Sequence, residues 1–120
     1  MGKFVMIKRL NGEFQFNLKS NNGLVILSSE GYDTKANCEN GIELVKRYSQ
    51  DLSRFDKYVF TNQKYYFNLK AANGQVIGTS QMYGTDFGVE KGILSVKTNA
   101  ADAKIEDKTA NRMHRVASSI

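Results

Sequence analysis

Cysteine and histidine each occur once, as Cys38 and His114, in a chain of 120 residues. A lone cysteine excludes an internal disulfide framework and a cysteine-built zinc site. With a single histidine as well, most metal and triad chemistry lacks its parts. Proline is absent, so no proline-rich linker divides the chain. Apolar runs reach only four residues, as in Leu24–Leu27, whereas a membrane-spanning helix needs about 20. The chain opens directly on Lys3-Phe4-Val5-Met6-Ile7, without the apolar core and cleavage site of a secretory leader, which predicts a cytoplasmic protein. The excess of positive over negative charge is also small in the body of the chain. Formal net charge is +5, but Lys108, Arg112 and Arg115 follow the last acid, and residues 1–107 hold 14 basic and 12 acidic side chains. The basic character is therefore mostly a short tail, which weakens the case for a polyanion-binding body. The 41% hydrophobic and 24% charged content is that of a globular domain.

What is present is a repeat. A shift of 51 residues aligns two halves without a gap. Asn17-Leu18-Lys19 falls on Asn68-Leu69-Lys70, Asn22-Gly23 on Asn73-Gly74, and Val25-Ile26 on Val76-Ile77. Ser29, Tyr32 and Thr34 fall on Ser80, Tyr83 and Thr85; Glu39, Gly41, Ile42, Val45 and Lys46 fall on Glu90, Gly92, Ile93, Val96 and Lys97. Self-similarity on this scale marks one supersecondary unit used twice.

Each unit reads alike. Phe14–Lys19 and Tyr65–Lys70 alternate apolar and polar side chains, the pattern of a half-buried strand. Asn22-Gly23 and Asn73-Gly74 predict tight primed hairpin turns, with Asn11-Gly12 a third. Strands are predicted at Lys3–Arg9, Leu24–Ser29, Arg54–Phe60, Gln75–Ser80 and Ala103–Asp107. Thr34 is placed to cap a helix to about Tyr48, and Thr85 or Asp86 one to about Thr98. Cys38, Gly41, Ile42 and Val45, and then Val89, Gly92, Ile93 and Val96, fall on one helical stripe. The order βββα, βββα, β predicts an α+β fold: two βββα(β) repeats in one mainly antiparallel sheet, pseudo-two-fold symmetric, with both helices on one face. The domain is residues 1–108, with repeats at about 3–51 and 54–102 and a final strand at 103–107. Residues 109–120 are read as a flexible basic tail carrying His114.

The run Tyr65-Tyr66-Phe67-Asn68-Leu69-Lys70-Ala71-Ala72-Asn73-Gly74-Gln75-Val76-Ile77-Gly78-Thr79-Ser80, with Glu30-Gly31-Tyr32 and Cys38-Glu39-Asn40-Gly41-Ile42 in the first copy, resembles the YegP-like family of small domains of unknown function. The resemblance covers residues 3 to about 107. It implies β3-α-β units that share one sheet and exchange their C-terminal strands, and it implies no activity. Met82 stands at the counterpart of Gly31, and Lys91 at that of Asn40.

Candidate chemistry is thin. Cys38 sits near a helix N-terminus, where a thiol can be activated, but its counterpart is Val89, which marks the position as core. Glu39 and Glu90 recur on first helical turns, where an acid meets the helix dipole favourably. Gly41 and Gly92 each carry the helix cost of glycine, roughly 1 kcal/mol, on the apolar stripe, which predicts close approach. No phosphate-binding glycine pattern occurs. If Phe16, Leu18, Phe67 and Leu69 point under the helices, then Asn17, Lys19, Tyr66, Asn68 and Lys70 point away. These five are the candidate ligand or partner face. The chain is expected to be a monomeric, non-enzymatic binding or interaction module without cofactor or metal, for a protein or nucleic-acid partner and not a membrane. The alternative is a weak nucleic-acid binder using the open sheet face and basic tail. A carboxylate enzyme built on Glu39 and Glu90 is the third reading.

Overall fold

The computed structural model describes residues 2–110. Seven strands and two helices follow in the order β1 (Lys3–Lys8), β2 (Phe14–Lys19), β3 (Val25–Ser28), α1 (Lys35–Tyr48), β4 (Phe55–Phe60), β5 (Lys64–Lys70), β6 (Val76–Thr79), α2 (Asp86–Ala100) and β7 (Lys104–Asp107). Each helix begins at a threonine N-cap. The Thr34 hydroxyl accepts the Asn37 N–H, and the Thr85 hydroxyl accepts the Gly88 N–H, satisfying otherwise orphaned donors of the first turn. The buried stripes are Cys38, Gly41, Ile42 and Val45 on α1, and Val89, Gly92, Ile93, Val96 and Ala100 on α2. Both helices lie on one face of the sheet and pack on Phe4, Phe16, Leu18, Phe67 and Leu69. No described helix is long and apolar enough to cross a membrane.

The hairpin turns depart from expectation. Among the described residues, φ is positive outside glycine only at Asn62 and Gln63, so Asn22 and Asn73 do not adopt the primed-turn conformation. Instead Gly23 and Gly74 (both φ 86°) take the left-handed residue of a three-residue loop, closed by Gly23 N–H to Ser20 O and Ser20 N–H to Leu24 O. This is a type I turn followed by a glycine bulge. The asparagines serve by side chain: Asn22 Oδ1 accepts the Leu24 N–H and Asn73 Oδ1 the Gln75 N–H. The pairing register shifts between Leu18 and Lys19, and again between Leu69 and Lys70. The irregularity lets Ile26 and Leu27 both join the core while Val25 stays opposite Lys19, where strict alternation would send one of each adjacent pair outward.

The β4–β5 turn does not copy this design, since Asn62 (φ 64°) and Gln63 are both left-handed. Gln63 (φ 58°) stands where the first unit has Gly12 (φ 89°). A left-handed non-glycine residue costs roughly 1–2 kcal/mol. Gln63→Gly is therefore expected to stabilise the protein by about 0.5–1 kcal/mol after glycine's entropy cost, read as a raised midpoint in urea at unchanged slope.

The sheet order is β4-β5-β6-β3-β2-β1-β7. Two antiparallel three-stranded meanders meet at the seam between β3 and β6, where Ser28 pairs with Thr79. These two residues are counterparts under the 51-residue shift, so the pseudo-two-fold axis passes through them. β7 is the one parallel addition, on β1, with Lys3, Phe4, Val5 and Met6 opposite Lys104, Ile105, Glu106 and Asp107. Only the second unit therefore sends out a separate C-terminal strand. The residues that correspond to β7 in the first unit are 53–56, and they run into β4. A tandem chain must use that segment to begin its second unit.

β7 is fastened by charge. Asp107 pairs with Lys35 on the first turn of α1 and accepts the Thr109 N–H and hydroxyl. Thr109 is itself buried, so the ordered chain continues past β7. Residues 111–120 of the tail, His114 among them, lie outside the described residues. The Lys35 ammonium, then the Thr109 donors, hold the Asp107 carboxyl down at about 2. Its unfolded value is about 3.9. Because the folded value is the lower one, Asp107 stabilises the fold fully above about pH 4, and that contribution disappears as pH falls towards 2. The protection of the Lys108 amide, which donates to Met6 O, against hydrogen exchange relative to its intrinsic rate should fall over that window. Asp107→Asn should lower that protection at neutral pH and leave it flat across the window.

Candidate functional site

The helix-free face of the sheet is built by alternation. Phe16, Leu18, Phe67 and Leu69 are fully buried in the core, which turns Asn17, Lys19, Tyr66, Asn68 and Lys70 to the opposite face. Strand order then separates the candidates into two groups. Asn17 and Lys19 lie on β2; Tyr66, Asn68 and Lys70 lie on β5, with β3 and β6 between. Three strand spacings of roughly 4.8 Å put the groups about 14 Å apart.

Register connects them. Asn17 is opposite Ser28, Ser28 opposite Thr79, and Thr79 opposite Asn68. The four form one polar row across the sheet, centred on the pseudo-two-fold axis. The Thr79 hydroxyl donates to Asn68 Oδ1 at 2.8 Å, and Gln15 Nε2 donates to Asn17 Oδ1 at 2.9 Å. The row was not visible in the sequence, because Ser28 and Thr79 differ and only the seam pairing joins them. A shallow groove of about 280 Å³ opens beside it, lined by Val25, Ser28, Glu30, Thr79 and Gln81. A larger one of about 520 Å³ lies at the other end of the sheet, between Lys3, Ser20, Asn21 and Lys104.

The two lysines are not equivalent. Lys70 pairs with Asp56 at 2.5 Å, and the hydrogen bonds to Asp56 and then to Tyr58 raise its pKa. The counterpart of Asp56 is Val5, and Lys19 has no ion-pair partner among the described residues. Tyr66 is stacked on Tyr58 with ring centroids 5.2 Å apart. Their counterparts are Gln15 and Ile7, so an aromatic platform exists on the second half alone.

Several recurring residues have structural explanations. Tyr32 and Tyr83 stack on Phe16 and Phe67 and lie beneath Gly41 and Gly92. A Cβ on Gly41 would stand 2.8 Å from Tyr32 Cζ, and one on Gly92 2.7 Å from Tyr83 Cζ. Burial, with Cys38 and Glu30 adding, raises the Tyr32 phenol above its usual range. Ser29 and Ser80 accept the Phe16 and Phe67 N–H groups where β3 and β6 end. Cys38 is fully buried, and burial, then Glu39 and Asp107, pushes its thiol up to about 11. That leaves negligible thiolate at neutral pH. Glu90 is held by Lys57, which also meets Asp86. No group of three or more potential metal ligands occurs among the described residues.

The domain of unknown function DUF1508 matches twice, at residues 10–56 and 61–107. The chain belongs to the DUF1508 family. The first match runs from β2 through α1 into the start of β4, and the second from β5 through α2 and β7. A UPF0339 protein of Stutzerimonas stutzeri is 48% identical over 87% of this chain and 94% of its own length. The UPF0339 protein YegP of Escherichia coli K12 is 45% identical over 90% of this chain and 98% of its own. Solution structures agree with the fold. That of YegP from E. coli, titled a protein of unknown function, covers 90% of this chain and 93% of its own at a TM-score of 0.86 and 45% identity. That of a UPF0339 protein from Shewanella oneidensis covers 94% and 96% at 0.88 and 46% identity. The α+β architecture of two repeats is thus common to this DUF1508 chain and its relatives.

Proposed function

We propose that this chain is a cytoplasmic, monomeric, non-enzymatic binding module that engages a partner through the helix-free face of its sheet. The observation that carries the reading is the polar row Asn17–Ser28–Thr79–Asn68, flanked by Lys19, Lys70 and Tyr66. Solvated strand positions are free to diverge after duplication, yet Asn17/Asn68 and Lys19/Lys70 are identical while the exposed helix pair Glu43/Leu94 is not. The test is a variant with Asn17, Lys19, Asn68 and Lys70 all replaced by Ser or Ala, used beside the parent chain in affinity capture. The variant should melt within a few degrees of the parent and lose the partner. Retained binding removes the sheet face from the reading, and a doubled mass in light scattering removes the monomer.

A second reading is favoured by the Tyr58–Tyr66 stack with Lys64 and Lys70 on the same face. Aromatic rings with flanking cations suit single-stranded nucleic acid, whose bases stack and whose phosphates pair. Such binding must weaken as salt rises. Anisotropy of a labelled oligonucleotide should fall with salt and be lost in Tyr66→Ala. Salt-independent binding, or none, leaves the protein-partner reading.

A further inference from the structure

We propose that the outer edge of β4 is a docking site for an extended segment of a partner protein, which adds to the sheet as a strand parallel to β4. The proposal concerns the sheet's edge and does not rest on the outer face. The molecule supplies its own template. β4 is the counterpart of β1, and the two pair with β5 and β2 in the same register. The free side of β1 holds the parallel strand β7, whereas β4 ends the sheet among the described residues. On β1, Met6 O accepts the Lys108 N–H. The corresponding residue, Lys57, therefore turns its backbone groups outward from β4, as does Val59 at the same phase of the strand, while the Phe55 N–H donates to Leu52 O. These are the groups a strand-adding peptide uses.

Side chains at the two edges point the same way. Exposed edge strands are ordinarily protected by charge. Here the covered strand continues into Lys8-Arg9, and the bare one carries Val59-Phe60 at the same positions. Val59 is 70% exposed and Phe60 52%. The apolar pair thus lies on the edge that most needs charge.

The charges at the edge specify the occupant. Beside β1, Asp107 of β7 meets Lys35 and Glu106 meets Lys3. Beside β4, the counterpart of Lys35 is Asp86, which with Glu90 surrounds Lys57. Two carboxylates and one ammonium leave a net negative charge where Asp107 would stand, so the occupant carries a base there. The counterpart of Lys3 is Arg54, which is paired with Asp51 at 3.7 Å and lies over the Tyr48 ring, so it asks for no charge where Glu106 would stand. Ile105 supplies the apolar residue before it, opposite Phe4, and the counterpart of Phe4 is Phe55. The matching segment carries an apolar residue two positions before a basic one.

The test uses two capped peptides titrated into the full-length, ¹⁵N-labelled protein. One has the sequence of residues 103–108, and the other carries Asp107→Lys within it. Saturable shifts are expected at the amides of Lys57 and Val59, with the Asp107→Lys peptide bound about threefold more tightly, the scale of one exposed ion pair. Lys57→Ala should still bind. Lys57→Pro, which removes the outward donor at a position where an edge strand tolerates proline, should abolish the shifts. If Lys57→Pro fails to fold, Val59→Lys takes its place and should weaken binding. Three results overturn the proposal: no saturable shift from either peptide, shifts centred away from β4, or shifts of the same amides on concentrating the protein alone with a doubled mass. The last outcome would make a second copy the occupant.

Discussion

Gly78→Leu is expected to cost about 3 kcal/mol, at the upper end of core overpacking, and to lower the urea midpoint accordingly. Gly78 is the counterpart of Leu27. The two meet at the seam beside the pseudo-two-fold axis, where a Cβ on Gly78 would stand 2.7 Å from Leu27 Cγ and 3.1 Å from its Cδ1. Leu27 is fully buried and fills the space that glycine leaves. Two leucines related by the axis would claim one volume, and two glycines would leave a void. Leu27→Gly should therefore also be costly, on the order of 3 kcal/mol by the cavity scale of large-to-small substitutions. The decisive variant is the exchange, Leu27→Gly with Gly78→Leu, which moves the leucine to the symmetry-related side. It should recover at least half of the summed loss, a coupling expected only of residues that share a site. Strict additivity would show that the two positions do not share one volume.

The second large effect is expected at the helix–tyrosine contacts. Gly41→Leu should cost about 3 kcal/mol despite leucine's better helix propensity of roughly 1 kcal/mol. The added side chain must enter space held by Tyr32 and Phe16, whose nearest ring carbon would be 3.1 Å from the new Cβ. Those rings are stacked with centroids 6.2 Å apart and packed against the core, so they have little room to withdraw. Gly41→Ala should show the same conflict in smaller form, and Tyr32→Phe in that background should relieve part of it by removing the hydroxyl. Gly92→Leu should repeat the result against Tyr83. A Gly41→Leu protein that melts within a degree of the parent would show that the helix moves aside freely.

Much of the fold was legible because its signals are local. Alternation along Phe14–Lys19 and Tyr65–Lys70 identified strands, threonines marked the helix starts, and the 51-residue shift identified two units. The asparagine–glycine dipeptide locates the turns but does not set their geometry. The dipeptide suits two loop types, and the one adopted depends on the register that the flanking strands accept. Of the candidate site, the sequence located the face but not its arrangement. Asn17 and Asn68 were identified by recurrence, while Ser28 and Thr79, which connect them, differ between copies. Tyr32 and Tyr83 recurred for a reason the sequence could not express, since each lies under a glycine on another element.

By itself, then, the sequence determined a duplicated βββα unit, its two buried helical stripes, its caps and the sides of β2 and β5 that meet the core. Periodicity carries that information, because it reports which way a residue points from its own element. Tertiary structure alone decided what each residue points at. It joined β3 to β6, and so set Leu27 against Gly78 and made one polar row of Asn17, Ser28, Thr79 and Asn68. It also laid β7 parallel on β1 and left β4 as the sheet's other edge. These outcomes depend on strand order, which is chosen by how the two helical stripes and the two meanders bury one common core, and no single segment records that choice.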